Sequence, residues 1–151
     1  MPGIARPLTP GETKRLALSI QSRVFLARRY PNARLTRSFD VGLKGGQLEA
    51  KAFALNIPMV HHNDWAVARM VARMLFYRCD PYEKWAWYGW EYCAILVDVT
   101  QALMGASAAT MLKESMRANR VRWKPKATRT VTPEMVERLA SARAKVGENS
   151  Q

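Results

Sequence analysis

The segment from residue 117 to residue 129 concentrates side chains that suit a polyanion. It contains six basic residues, one tryptophan and no acidic residue: Arg117, Arg120, Arg122, Trp123, Lys124, Lys126 and Arg129. Arginine and lysine neutralise phosphates and release counterions, an aromatic ring stacks on a base, and Pro125 favours an extended strip over a helix. The pattern predicts a nucleic-acid-binding segment. The alternative is a solvated linker in which Trp123 packs on the core.

A second basic group lies where the first predicted helix meets the loop that follows it. Its members are Arg23, Arg28, Arg29, Arg34 and Arg37. We expect the last four to contact phosphates together with segment 117–129, if the fold brings the two groups onto one surface.

Lys44 is a further candidate phosphate ligand, because it lies in a glycine-rich loop with the pattern G-x-x-G, Val41–Leu48. KH modules clamp a nucleic-acid backbone with such a loop. They need it between two helices beside a three-stranded sheet, and here the preceding segment is not helical and strand candidates are nearly absent. An ordinary turn before a helix is therefore favoured. The pattern of a P-loop is also missing.

Histidines and carboxylates do not form a recognisable catalytic or metal-binding motif. His61 and His62 are adjacent and point in different directions, and no H-x-x-x-H or C-x-x-C pattern completes a ligand set. Asp64 is better placed to stabilise a helix N-terminus. We therefore predict no metal, no cofactor and no enzyme. An enzyme would need a site assembled around His61, His62 or Glu91.

Aromatic residues suggest a different kind of partner. Trp85, Trp87 and Trp90 lie within six residues and cannot all face one side of a helix, so one or two are expected at a groove or a subunit contact. Leu18 and Phe25 interrupt the polar side of the first predicted helix. The alternative function is a protein-interaction or structural subunit, such as a virion component or an inhibitor of a host complex. Its contact residues are Leu18, Phe25, Trp87 and Trp90.

Composition and charge distribution favour a folded, anion-binding protein. The chain has 151 residues, 48% of them hydrophobic, and a net charge of +12, which supports one domain and excludes a disordered tail. Residues 1–46 carry a charge of +7 and residues 106–151 carry +6, whereas residues 81–105 carry −2. A neutral middle between basic ends favours an anionic partner, although a basic protein can also be merely soluble.

The expected location is the cytoplasm, or a virion that packages the protein. Cys79 and Cys93 are too few for a disulfide framework and fit a reducing compartment. The first ten residues lack the apolar stretch of a signal peptide. Glu91 and Asp98 interrupt the longest apolar stretch, so we expect no membrane span and no membrane partner.

Helix-start patterns predict an all-α fold. Thr9, Asp80 and Thr132 each precede a proline at the first position of a helix, and a glutamate completes a capping box in the first two. The predicted helices cover residues 10–30, 47–55, 63–78, 81–104, 107–119 and 133–146, with a short strand near residues 35–41. We expect a single compact domain, 1–151, of five to six helices around a hairpin of the third and fourth, with irregular basic loops. Residues 1–8 and 147–151 are expected to be flexible ends.

A stripe of charges runs along the predicted fourth helix, because Lys84, Glu91 and Asp98 recur every seven residues. These side chains are expected to meet Arg69, Arg73 or Arg78 of the preceding helix.

Together these patterns predict a non-catalytic nucleic-acid-binding accessory protein, for DNA or RNA, of the kind that phages and plasmids carry. A protein partner or a homo-oligomer is the alternative.

Overall fold

A computed structural model describes residues 5–86, 89–125, 134, 137–138 and 140–143. These residues are mostly helical and include a small three-stranded sheet. The α-helices are α1 (Pro10–Leu18), α2 (Val24–Arg29), α3 (Asp64–Cys79), α4 (Trp90–Met104) and α5 (Ala106–Ala118). The strands are β1 (Asp40–Gly42), β2 (Glu49–Ala50) and β3 (Ala54–Asn56), and short 3-10 helices cover Ser19–Ser22, Pro31–Ala33 and Met59–His61. In the last predicted helix, 133–146, the described residues 134, 137–138 and 140–143 are helical, and the others lie outside the described residues.

The centre of the fold is the pair α3 and α4, which pack against each other more extensively than any other two elements. Met70, Met74 and Leu75 of α3 and Ile95 and Val99 of α4 have almost no exposed surface. Burial of such side chains contributes about 2 kcal/mol each before entropy is counted. The predicted pair of the third and fourth helices therefore lies at the centre of the core.

Two helix starts follow the predicted chemistry. Thr9 and Glu12 form a reciprocal capping box, with each backbone N–H donating to the other residue's side chain over 3.2 Å. The Asn63 side chain accepts the Ala66 N–H over 2.8 Å at the start of α3. These bonds satisfy amide groups that have no partner inside the helix.

Residues 5–8, which were expected in the flexible N-terminal end, are hydrogen-bonded to the start of α3. The Arg6 N–H donates to the Asp64 carboxylate over 2.7 Å, and the Leu8 N–H donates to the His62 carbonyl over 2.9 Å. The rest of the two ends, residues 1–4 and 147–151, lies outside the described residues.

The predicted first helix, 10–30, is wrong as a single element. It is divided into α1, a 3-10 helix and α2, because Arg23 adopts an extended conformation with φ −85° and ψ 93°. The division rotates α2 relative to α1. In one continuous helix the spacing of Ile20, Val24 and Ala27 would place Val24 on the inward face, but Val24 is 62% exposed, whereas Leu26 is fully buried.

The predicted fourth helix begins at Trp90, not directly after Asp80. The Asp80 carboxylate accepts the backbone N–H groups of Lys84 (2.9 Å) and Trp85 (2.8 Å), which curls the chain into a loop. Glu83 has φ 52°, a left-handed conformation that interrupts any helix. The aspartate-proline pattern therefore forms a turn here.

Residues 47–55, predicted as a helix, contribute strands. β3 is the central strand, with β1 parallel on one side and β2 antiparallel on the other. The glycine-rich loop with Lys44 joins β1 to β2, and the Asn56 side-chain amide donates to the carbonyls of Gly45 (3.2 Å) and Gln47 (2.8 Å). Because the loop lies between strands, it lacks the two flanking helices of a KH module.

The predicted charge pairing between the third and fourth helices is wrong for three of its members. Lys84 lies in the loop before α4. Asp98 pairs with Arg29, whose Nε is 3.2 Å from Asp98 Oδ2. Arg78 donates to the backbone carbonyls of Ala52, Ala33 and Arg34 instead of a carboxylate.

Among the described residues, no helix has the length and apolar character that crossing a bilayer requires.

Candidate nucleic-acid interface

The basic segment after α5 leaves the helix through a tight reversal. The Val121 N–H donates to the Met116 carbonyl over 2.8 Å, and the Arg120 N–H donates to the Arg117 carbonyl over 3.2 Å. This is a Schellman motif, whose reversal normally places glycine in the left-handed region. Here Arg120 occupies that position with φ 58°. The reversal directs the following residues back across the protein.

Trp123 is packed partly on the core. It is half-buried, contacts the core cluster, and its indole Nε1 is buried without a hydrogen-bond partner among the described residues. The Arg117 guanidinium lies over the ring, 5.7 Å from its centroid. Trp123 therefore anchors the segment, and the predicted base stacking is restricted to its exposed part.

The α2 helix carries its own basic residues at its C-terminal end, where the helix dipole favours positive charge. Arg28 and Arg29 are both exposed. The Asp98 carboxylate of α4 accepts the Tyr30 hydroxyl over 2.6 Å and contacts Arg29. Burial, and then the neighbouring Asp98, raise the pKa of Tyr30, so the hydroxyl remains a donor.

The segment after α5 and the α2 helix meet at one place in the fold. A cavity of about 230 Å³ is lined by Phe25 and Arg29 of α2, by Lys113 of α5, and by Trp123 and Lys124. A second cavity of about 530 Å³ shares Trp123 and Lys124. We call the basic residues that line these two cavities the connector surface: Arg29, Lys113, Arg117, Arg120, Arg122 and Lys124.

Positive charge predominates on the connector surface. Asp98 is the one carboxylate among the described residues that line the two cavities. It is only 9% exposed, and it is already engaged by Tyr30 and Arg29. The remaining cations of the surface are exposed or half-buried, so they are available to attract a polyanion.

The structure divides the second predicted basic group. Arg29 joins the connector surface, but Arg34 and Arg37 line a separate cavity together with Arg78. Arg28 and Lys44 are exposed and line neither cavity of the connector surface. Lys126 and Arg129 lie outside the described residues, so their predicted contacts remain predictions.

Sequence reasoning did not select Lys113 or Arg78. Lys113 lies four residues before Arg117, and that helical spacing could have placed both on one side of α5. Arg78 was assigned to an ion pair because it lay among the arginines of the predicted third helix. Nothing in the local sequence indicates that backbone carbonyls would be its partners.

The residues of the predicted protein contact do not share one helix face. Leu18 ends α1 and is half-buried, whereas Phe25 lies on α2 and is 59% exposed. Trp90 is half-buried at the first position of α4, and Trp87 lies outside the described residues. Because the helix breaks at Arg23, the seven-residue spacing no longer places Leu18 and Phe25 on one face.

Of the two histidines considered for chemistry, His62 has a structural partner. His62 Nε2 lies 2.8 Å from the Ile57 carbonyl oxygen, and the described residues contain no cluster of three or more potential metal ligands. Burial, and then Asp80, raise the pKa of the Cys79 thiol to about 11. A thiol of that pKa is protonated near neutral pH and is a poor nucleophile.

Comparison of the chain with protein-family models, with curated proteins and with solved structures found no match.

Proposed function

We propose that the protein binds nucleic acid without catalysis, by holding the phosphate backbone on the connector surface. The observation that carries the proposal is the convergence of two basic segments, distant in sequence, on adjoining cavities whose one described carboxylate is already paired. A polyanion that spans both cavities meets cations from α2, from α5 and from the segment after it.

The connector surface is suited to following a backbone. Its cations lie on exposed or half-buried, solvent-facing positions, where guanidinium and ammonium groups bind phosphate and release counterions. Trp123 holds the segment in place and leaves part of its ring at the cavity wall. Such contacts position a strand and carry little sequence information. We therefore expect binding with weak sequence preference.

A double substitution tests the surface directly. Arg120→Ala with Arg122→Ala should weaken binding and reduce the slope of log K against log salt by roughly 2, because each lost phosphate contact removes about 0.9 from the slope on duplex DNA. The measurement is fluorescence anisotropy with labelled DNA or RNA over a range of salt concentrations.

The matched control is Lys14→Ala with Arg15→Ala, since both residues are exposed on α1, away from the two cavities. The control removes the same net charge and should leave the slope nearly unchanged. An unchanged slope in the Arg120 and Arg122 variant would remove the connector surface from the binding site. Equal losses in both variants would assign binding to net charge alone.

A protein contact is the second candidate, favoured by the exposed apolar residues of α2. Val24 is 62% exposed and Phe25 is 59% exposed, and adjacent exposed apolar side chains are typical of contact surfaces. Light scattering at low and high salt separates the two candidates. An oligomer that persists at high salt and is lost in Phe25→Ser supports the protein contact.

A further inference from the structure

A separate cavity between the Pro31–Ala33 turn, Phe53 just before β3, and the end of α3 is lined by three arginines. Its volume is about 460 Å³, and its wall includes Arg34, Arg37 and Arg78 with the aromatic rings of Phe53 and Tyr82. No carboxylate is among the described residues that line it. Arg78 comes from α3, whereas Arg34 and Arg37 come from one turn more than forty residues earlier.

Arg78 is the buried member of this group. Only 8% of its surface is exposed, and its Nη1 donates to the carbonyls of Ala33 (3.2 Å) and Arg34 (3.1 Å). Its Nη2 is buried and has no hydrogen-bond partner among the described residues. Buried guanidinium groups are normally paired with an anion or fully hydrogen-bonded. Arg78 is held by carbonyl dipoles and lacks a counter-charge.

The positive charges are held close to one another. The guanidinium carbons of Arg37 and Arg78 both lie 4.6 Å from the centroid of the Phe53 ring. The two charges are therefore no more than about 9 Å apart, which is close to the screening length of about 8 to 10 Å near physiological salt. Burial, and then the neighbouring Arg37, lower the pKa of Arg78. An anion in the cavity would relieve this repulsion.

The backbone conformation of the turn places Arg34 in the wall of the same cavity. Arg34 adopts a left-handed conformation, φ 46° and ψ 62°. Its carbonyl accepts both the Arg37 N–H over 2.9 Å and Arg78 Nη1. Strained residues of this kind persist where the surrounding structure fixes them, commonly at ligand sites.

Nearby carboxylates do not neutralise the group. Asp80, which follows Arg78 closely in sequence, accepts the backbone N–H groups of Lys84 and Trp85. Within the described part of the chain, no ion pair involves Arg34, Arg37 or Arg78. Three uncompensated cations suit a dianion better than a single carboxylate. A phosphate monoester carries a charge of about −1.5 to −2 near neutral pH.

We propose that this cavity binds the phosphate monoester of a nucleotide, with Arg34, Arg37 and Arg78 around the phosphate and Tyr82 against the base. Tyr82 lines the cavity and is 81% exposed, so its ring is accessible to a base. Guanidinium groups recognise phosphate oxygens in bidentate geometry, and base stacking on an aromatic ring tolerates any base. The phosphate comes either from a free nucleotide or from the 5′ end of a strand. The site does not require the connector surface.

Calorimetric titration of nuclease-treated protein tests the site, with AMP, inorganic phosphate and adenosine as probes at constant ionic strength. AMP should bind saturably to one site, phosphate should bind there more weakly, and adenosine should not bind. Arg37→Ala and Arg34→Gly should each weaken AMP binding by on the order of tenfold. Both variants spare the buried Arg78, and glycine relieves the strain at position 34, so folding should be retained, as circular dichroism will check.

Two further variants make the test specific. Tyr82→Ala should weaken AMP binding by about tenfold and leave phosphate binding unchanged. Arg15→Ala, an exposed arginine of α1 outside the cavity, should change neither. The proposal is overturned if AMP does not saturate at millimolar concentration, if adenosine binds as well as AMP, or if the Arg34 and Arg37 variants bind AMP like the wild type.

Oligonucleotides distinguish the source of the phosphate and separate this site from the proposed function. A 5′-phosphorylated strand that binds tighter than its 5′-hydroxyl counterpart, and is displaced by AMP, assigns the cavity to strand ends. Equal binding of the two strands, alongside saturable AMP binding, assigns it to free nucleotides. The 5′-hydroxyl strand reports on the connector surface alone, so either proposal can fail while the other stands.

Discussion

Arg120 closes α5 in a conformation that favours glycine, and it contributes a positive charge at the same position. Its φ of 58° and the two reversal hydrogen bonds place it at the left-handed position of the Schellman motif. A residue with a Cβ costs about 1 kcal/mol more than glycine there. The side chain lines the cavity of the connector surface. Stability and proposed binding therefore make opposite demands on this residue.

Arg120→Gly should separate these two demands. We expect the free energy of unfolding to rise by about 1 kcal/mol, because the strain is relieved, while the salt slope of nucleic-acid binding falls by about 1. Urea denaturation and anisotropy measure the two effects. Arg120→Ala is the matched control, since it loses the same charge and keeps the Cβ, so its binding should fall without the gain in stability. A loss of stability in the glycine variant would contradict the strain at position 120.

Glu12 makes the capping box of α1 sensitive to acid. Its carboxylate accepts the Thr9 backbone N–H, and the hydrogen bonds with Thr9, backbone first and then side chain, lower its pKa from 4.5. Because the unfolded chain then binds the proton more readily than the folded one, the contribution of Glu12 is complete above about pH 4.5 and is lost as pH falls further.

Comparison of wild type with Glu12→Gln measures this contribution. The variant should be less stable at pH 7, and the difference in urea midpoint should shrink as pH is lowered below 4.5. A difference that stays constant from pH 7 to pH 3 would show that the charge of Glu12 has no part in the cap.

At the scale of elements, α2 is short and depends on tertiary contacts for its position. It has six residues, too few to be stable alone. Its own Leu26 is fully buried, and Tyr30 and Arg29 bind Asp98 of α4. These contacts place α2 beside the segment after α5, and they determine whether the two parts of the connector surface meet.

Tyr30→Phe removes one of those contacts while keeping the ring and the charge of Arg29. We expect the free energy of unfolding to fall by about 2 kcal/mol, the usual contribution of a hydrogen bond to a charged acceptor. Urea denaturation measures the loss. Tyr82→Phe, at an 81% exposed ring, should change stability by less than about 0.5 kcal/mol. Equal effects of the two substitutions would show that the hydrogen bond from Tyr30 to Asp98 does not contribute to the free energy of unfolding.

The elements that the sequence predicts well are those whose ends have local hydrogen-bonding partners. The start of α3 at Asn63 and the capping box at Thr9 depend on residues within one turn of each other, so they can be read from sequence. No proline or glycine near Arg23 indicates the helix break there. Asp80 precedes a proline as a helix cap would, but its carboxylate satisfies the amides of a loop instead.

The sheet is predicted only in part, for a different reason. The short strand expected near residues 35–41 overlaps the start of β1 (Asp40–Gly42), whereas β2 and β3 lie in or next to the segment expected as a helix, 47–55. All three strands have only two or three residues, too few for an alternating pattern to define them. β1 and β3 are also paired in parallel, from residues fourteen positions apart. Such pairing depends on the whole fold, which no local window contains.

At the scale of the whole molecule, basic residues from distant parts of the sequence form two groups, the connector surface and the cavity with three arginines. The sequence alone does not predict which basic residues share a group. The basic segment 117–125 was evident from its composition, and Arg29 was among the expected ligands. That these two would meet depends on the break in the first predicted helix. That Arg34 and Arg37 would instead join Arg78 depends on the position of the sheet. Both facts are consequences of topology.

The net charge of +12 alone predicts weak, indiscriminate attraction to any polyanion. A defined binding surface predicts a steep dependence of the binding constant on salt, because six basic residues that each contact a phosphate give a slope of log K against log salt of about −5 on duplex DNA. It also predicts that binding persists at physiological salt, where diffuse attraction is largely screened.

The most direct test of the account is fluorescence anisotropy of nuclease-treated protein with labelled single-stranded DNA, duplex DNA and RNA, titrated from low to physiological salt. We predict saturable binding to at least one of the three, with a Kd of about 10 μM or tighter at physiological salt and a steep negative slope. Binding that vanishes equally for all three polymers before physiological salt is reached would contradict nucleic-acid binding by the connector surface.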